Sequence, residues 1–166
     1  MTDTRVLVLV GSLRTDSLNR RIAEKLRELP FYNEDLDGED VPAAAATLRD
    51  QVKRADRVLA VTPEYNGTMP AVLNNAIDWL SRPYGVGAIK GKPFGVVGAT
   101  PTPYGGKWAH QDTARSAGIA GAVVVEDVTV SQSALEVDVL TDPEVLARLR
   151  AAVQTLVDYD AEAEAA

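Results

Sequence analysis

Four short runs rich in aliphatic and β-branched residues punctuate the chain: RVLVLV (5–10), RVLAVT (57–62), KPFGVVGA (92–99) and AGAVVVE (120–126). Each is apolar on consecutive rather than alternate positions, the pattern of a strand buried on both faces. Between them, apolar residues recur at helical spacing. Leu18, Ile22, Leu26 and Leu29 form one such face, closed by Pro30. Leu48, Val52 and Ala55 form a second, opened by Pro42. Val72, Leu73, Ala76, Ile77 and Leu80 form a third, opened by Pro70 with Thr68 as its candidate cap. A helix from about Lys107 to Ala117 follows, and Asp142 and Pro143 open a last one with Val145, Leu149, Val153 and Leu156 inward. A further short strand is expected near Phe31 and Tyr32, and residues 131–141 read as irregular.

Strands that alternate with helices imply right-handed crossovers and a parallel sheet covered on both faces. Five strands favour the order 2-1-3-4-5 of flavodoxin-like folds over the dinucleotide-binding order. The expected class is therefore α/β, a flavodoxin-like three-layer sandwich with a five-stranded parallel sheet and helices on both faces. Residues 1–158 read as one domain, and 159–166 as a frayed acidic tail. Ligands of such sheets sit at the carboxyl ends of the strands. That rule gathers three loops at one edge: 11–19, 62–68 and 99–107.

Composition narrows the chemistry available there. The chain has no cysteine and one histidine, His110, so thiol chemistry and a multi-histidine metal centre are excluded, and no metal is expected. A net charge of -7 argues against a nucleic-acid or anionic-membrane partner. No apolar run approaches the ~18 residues of a membrane span. The opening MTDTRVLVLVG lacks the basic segment, long apolar stretch and cleavage site of a secretory signal, so a cytoplasmic setting is expected.

The first loop, GSLRTDSLNRRIAEKL, crowds Ser12, Arg14, Ser17 and Asn19 between a strand and a helix. A helix N-terminus with added hydroxyl, amide and guanidinium donors is suited to an anion, and to one phosphate rather than a pyrophosphate, because neither glycine-rich nucleotide motif is present. An ordinary turn capped by Asp16 or Ser17 accounts for the same residues. The second loop, TPEYNGTMP, combines a stiff exit at Pro63, an aromatic face at Tyr65, the amide of Asn66 and close backbone approach at Gly67, as a flat heteroaromatic ligand requires. A plain Asn-Gly turn is the alternative. Glu64 receives no catalytic role. The third loop, ATPTPYGGKWAHQ, has a Gly-Gly pair that permits a tight path against a ligand or another subunit, and His110 beyond it reads as a surface or interface residue.

GSLRTDSLNRRIA and TPEYNGTMPAVLNNAIDWLSRP, in this order, resemble the NADPH-dependent FMN reductase family, over Val6 to about Val125. The resemblance implies that Ser12, Arg14, Ser17 and Asn19, with the backbone N–H of Leu18, hold the FMN phosphate. It implies that Pro63, Glu64, Tyr65, Asn66 and Gly67 line the isoalloxazine ring. The family's third loop often reads S-P-x-x-x-G-G. Here Thr100 stands for the serine, Tyr104, Gly105 and Gly106 complete the loop, and KWAHQ replaces a basic-then-Gln pattern. The activity implied by the resemblance is hydride transfer from NADPH or NADH through FMN to a small acceptor: a quinone, azo compound, chromate or free flavin. The flavin N5 carries the chemistry, with no catalytic side chain. The resemblance also implies a homodimer or homotetramer, with the helix around Trp79 as a contact surface. A flavodoxin-type electron carrier without NAD(P)H reductase activity of its own is the alternative, disfavoured by Arg14 in the phosphate loop.

Overall fold

A computed structural model describes residues 4–11, 26 and 28–160. Its strands are β1 (Val6–Val10), β2 (Arg57–Val61), β3 (Pro93–Thr100) and β4 (Val123–Ser133). Its α-helices are α1 (Ala43–Arg54), α2 (Ala71–Leu80), α3 (Lys107–Ile119) and α4 (Pro143–Asp158). Among the described residues the strands form one parallel sheet in the order β1-β2-β3-β4, with Val6 opposite Arg57 and Val58 opposite Phe94.

Consecutive residues of each strand feed opposite cores, which is why the runs are apolar throughout. Leu9, Val58, Ala60, Phe94 and Val96 face a core shared with Leu48 and Val52 of α1, Leu73, Ile77 and Leu80 of α2, and Ala117 of α3. Leu59, Val97, Val125, Val128 and Val130 face a second core closed by Ala152 and Leu156 of α4. Helices thus cover both faces, as expected. Asp142 caps α4 by accepting the N–H groups of Glu144 and Val145 at 3.0 and 2.9 Å.

The sheet departs from expectation in strand count: four strands are present among the described residues, and the segment near Phe31 and Tyr32 is not one of them. Its backbone groups are taken by side chains instead of a neighbouring strand. The Tyr32 N–H donates to Asn75 Oδ1 at 2.8 Å, while the Pro30 carbonyl accepts from Asn75 Nδ2 and from Trp79 Nε1. Phe31 is left 78% exposed.

Trp79, on the helix expected as a contact surface, is itself fully buried, so its own ring meets no subunit. Tyr32 meets its ring edge-on at 5.0 Å, and the Arg49 guanidinium lies 5.3 Å from its centre. The last strand is longer than expected and absorbs residues 131–133, because it continues along β3 until Ser133 faces Thr100. Between Phe94 and Val96 its register jumps from Val124 to Thr129. Gly95 accommodates that irregularity: a Cβ there would stand 2.4 Å from Val128 Cγ1.

Candidate functional site

The carboxyl ends of β1, β2 and β3 are joined before any loop begins. Gly11 donates its N–H to the Val61 carbonyl at 2.9 Å, and Thr62 donates to Val97 at 3.0 Å. Gly11 packs so tightly on β2 that a Cβ would lie 2.5 Å from Thr62 Oγ1. Ser12, Arg14, Ser17, Leu18 and Asn19, the expected phosphate residues, lie outside the described residues.

The loop after β2 is a small closed structure. Tyr65 and Thr68 exchange backbone hydrogen bonds of 3.0 and 3.1 Å. Asn66 and Gly67 between them hold φ of +52° and +73°. Two successive left-handed residues make the tight turn that Asn-Gly favours. Nothing lies within 4 Å of a Cβ position on Gly67. Among the described residues, the N–H groups of Asn66 and Gly67 have no protein acceptor. The loop therefore presents an exposed tyrosine ring beside two uncommitted donors.

Two ties fasten this loop to α3. Glu64 Oε2 accepts the N–H groups of Trp108 at 3.0 Å and Ala109 at 3.1 Å. Those are orphan donors of the first helical turn, and the N-cap, Gly106, has no side chain to satisfy them. Glu64 is a cap supplied from another loop. Thr68 Oγ1 donates to Asp112 Oδ2 at 2.8 Å. That hydroxyl, with Arg115, holds the Asp112 carboxyl below its usual range. Thr68 is thus no cap for α2, which starts after Pro70 without a side-chain cap.

In the third loop the glycine pair serves the protein's own packing. Gly105 has φ +62°, and a Cβ on it would approach Gln132 C to 2.6 Å and Ser133 N to 2.8 Å. Gly106 has φ +92° and faces the His110 ring. Thr100 is buried, its hydroxyl 3.1 Å from that of Thr102 and its carbonyl accepting from Ala134. Tyr104 points outward, its ring 4.4 Å from Trp108.

His110 is a correction to the sequence reading: it is 1% exposed, neither surface nor interface. Its Nε2 lies 3.2 Å from the Thr62 carbonyl, its Nδ1 2.6 Å from Ser131 Oγ. A carbonyl only accepts, so Nε2 carries the proton and Nδ1 accepts from the serine. Burial pushes its pKa down, against the opposing pull of the Thr62 carbonyl and the Glu64 charge. The signal in the sequence is weak because the buried face of α3 is Ala109, His110, Thr113 and Ala117, small or polar residues that show no aliphatic period.

The loops, at one edge of a parallel sheet, can be compared with known proteins. Residues 24–135 match the family model described as NADPH-dependent FMN reductase. A quinone reductase of Pseudomonas putida is 44% identical over 126 residues, 67% of this chain and 68% of its own. A 2-hydroxy-1,4-benzoquinone reductase of a Burkholderia species is 40% identical over 111 residues, 58% of this chain and 60% of its own. Among solved structures, FerB, the flavoenzyme NAD(P)H:(acceptor) oxidoreductase of Paracoccus denitrificans, is similar with a TM-score of 0.77 at 32% identity, over 95% of this chain and 97% of that one. With the match running through β2, β3 and β4, the Asn-Gly turn and the glycine pair, this chain belongs to the NADPH-dependent FMN reductase family.

Proposed function

We propose that this chain is an FMN-dependent NAD(P)H oxidoreductase acting on a small acceptor of the quinone class. The net change is NAD(P)H plus a proton plus quinone to NAD(P)+ plus quinol, so electrons and protons balance. FMN, when bound, supplies the hydride-accepting and hydride-donating atom. The protein's task is to hold, orient and bias it.

The observation that carries this reading is the loop after β2. Its three pairings, Tyr65 with Thr68, Glu64 with α3 and Thr68 with Asp112, leave the Asn66 and Gly67 donors outward and rigid. Such preorganised N–H groups suit the carbonyl and nitrogen atoms along one edge of a flavin ring, where negative charge grows on reduction. Pro63 and Tyr65 supply flat contact, and the space over Gly67 lets a ring lie close. Glu64 serves through its cap rather than by touching the ring. On the strength of the family resemblance, Thr100, Tyr104, Gly105 and Gly106 of the third loop also belong to the flavin site.

The phosphate belongs to Ser12, Arg14, Ser17, Asn19 and the Leu18 N–H. Supporting this placement, Glu64 already occupies the N-terminus of α3 and repels a second anion there. The reading extends to a cytoplasmic homodimer or homotetramer, on the strength of the family resemblance. Among the described residues no helix is long and apolar enough to cross a membrane.

The test is the absorption spectrum of the purified protein incubated with FMN, followed by anaerobic bleaching with NADPH and recovery of colour on adding a quinone. A protein that binds no flavin refutes the reading. Arg14→Ala should weaken FMN binding by about 1.5–3 kcal/mol, the worth of a charged hydrogen bond, in a flavin-fluorescence titration. Unchanged affinity refutes the phosphate placement.

A further inference from the structure

At the exit of β2 the polar backbone groups are committed one by one. The Thr62 N–H donates to the Val97 carbonyl at 3.0 Å, and the Thr62 hydroxyl donates to the Pro63 carbonyl at 2.9 Å. Pro63 has no N–H of its own with which to fix the turn. The Thr62 carbonyl remains, and its partner comes from another element: Nε2 of His110, on α3, at 3.2 Å. Both residues are 1% exposed, so bulk water does not compete for this bond.

The surroundings are shaped around that contact. A Cβ on Gly98 of β3 would stand 2.0 Å from the Thr62 oxygen and 2.8 Å from Nε2. One on Gly106 would stand 3.2 Å from the same nitrogen. On the far side of the ring, Nδ1 lies 2.6 Å from Ser131 Oγ of β4. A single imidazole therefore spans from β4 to the exit of β2, in a socket that two glycines keep open. The rest of the buried face of α3 is Ala109, Thr113 and Ala117, and the Thr113 hydroxyl turns back to the Ala109 carbonyl. Glu64 and Thr68 tie the loop to α3 beyond Pro63, whereas His110 fixes the point at which it leaves the sheet.

We infer that His110 is a positioning residue for the loop after β2: by donating to the Thr62 carbonyl it sets the direction in which the Asn66 and Gly67 N–H groups face the flavin ring. The inference rests on the function proposed above. It gives the histidine a role exerted through the backbone of residues 62–67.

The test pairs two amides of different length. His110→Gln puts its amide nitrogen where Nε2 stands and keeps a donor for Thr62, whereas His110→Asn reaches only as far as Nδ1 and keeps the bond to Ser131 alone. In a flavin-fluorescence titration His110→Asn should raise the Kd for FMN about fivefold, the worth of one hydrogen bond, and His110→Gln should bind like the wild type. A second readout needs no flavin: amide hydrogen exchange at Tyr65 and Thr68, whose N–H groups pair across the turn. Their protection should fall in His110→Asn by more than that of the α4 amides, and return in His110→Gln. An unchanged Kd in His110→Asn, equal weakening in the two variants, or a uniform loss of protection over the whole chain overturns the positioning role. Should His110→Asn not fold, His110→Gln decides: it must fold with wild-type affinity and protection, and loss of either overturns the role. Failure of the wild type to bind FMN strikes the proposed function instead, and the exchange measurement then decides the positioning alone.

Discussion

Acidifying the protein from about pH 7.5 to about pH 5.5 tests the packing behind the loop after β2, because His110 titrates in that interval when free, near 6.5. In the folded chain its ring is 1% exposed and neutral, with Nε2 donating to Thr62 and Nδ1 accepting from Ser131. Protonation would not break either bond, since the serine hydroxyl can turn and accept. The cost is the burial of a charge, so the folded-state pKa lies below 6.5. The unfolded chain therefore takes up a proton at a higher pH than the folded one, and this contribution to stability is full above about pH 6.5. It is lost progressively as the pH falls towards the folded-state value, and levels off below it.

The loss at pH 5.5, one pH unit below the unfolded value, is at most about 1.4 kcal/mol, the limit reached by a histidine that stays neutral in the folded state. Urea denaturation at both pH values measures it, with His110→Gln as the reference. Glutamine keeps a donor for the Thr62 carbonyl and does not titrate, so carboxylate effects cancel in the difference. The wild type should lose more stability than the variant between the two conditions, by at most about 1.4 kcal/mol. Parallel losses in the two proteins would refute a neutral, buried His110 and the hydrogen-bond assignment with it.

The ion pair of Asp37 with Arg49 gives a second test: the bonds are 2.6 and 2.7 Å, and the side chains are 8% and 11% exposed. Asp37→Ala strands the guanidinium that lies over Trp79 and should cost about 3 kcal/mol in urea denaturation; a loss under about 1 kcal/mol would mean that water replaces the carboxylate. Arg49 holds the Asp37 carboxyl below its usual value, so the pair's contribution is full above about pH 4 and is lost as the pH falls through the depressed folded-state pKa. The acid limb should accordingly flatten in Asp37→Ala. Gly105→Ala should destabilise by more than Gly91→Ala, whose φ of +71° carries the same penalty of about 1–2 kcal/mol but which has nothing within 4 Å of its Cβ. Equal losses would mean that the third loop is free to move away from β4.

Contrasts between what the residues announce and what they conceal follow one physical division. Strands buried on both faces and helices with an aliphatic stripe repeat a local period, so RVLVLV, RVLAVT and the faces of α1 and α2 are visible from spacing alone. The segment at Phe31 looks like a strand for the same reason, yet its backbone partners are Asn75 and Trp79, more than forty positions away. No local pattern encodes that. The polar stretch TVSQS hides the end of β4, since its pairing comes from Val97 to Thr100 and not from its own hydrophobicity. Glu64 is the most instructive residue. Its position in the chain places it with the ring-lining loop, and its carboxylate instead completes a helix that begins with Gly106 and has no acid in its first turn. That deficit is legible: a helix start with no side-chain cap of its own requires an acceptor from elsewhere when its first N–H groups are shielded from water. Looking for the nearest acid at the same sheet edge leads to Glu64, and from there to the coupling of the second and third loops. A missing cap can thus point to a long-range contact that periodicity does not reveal.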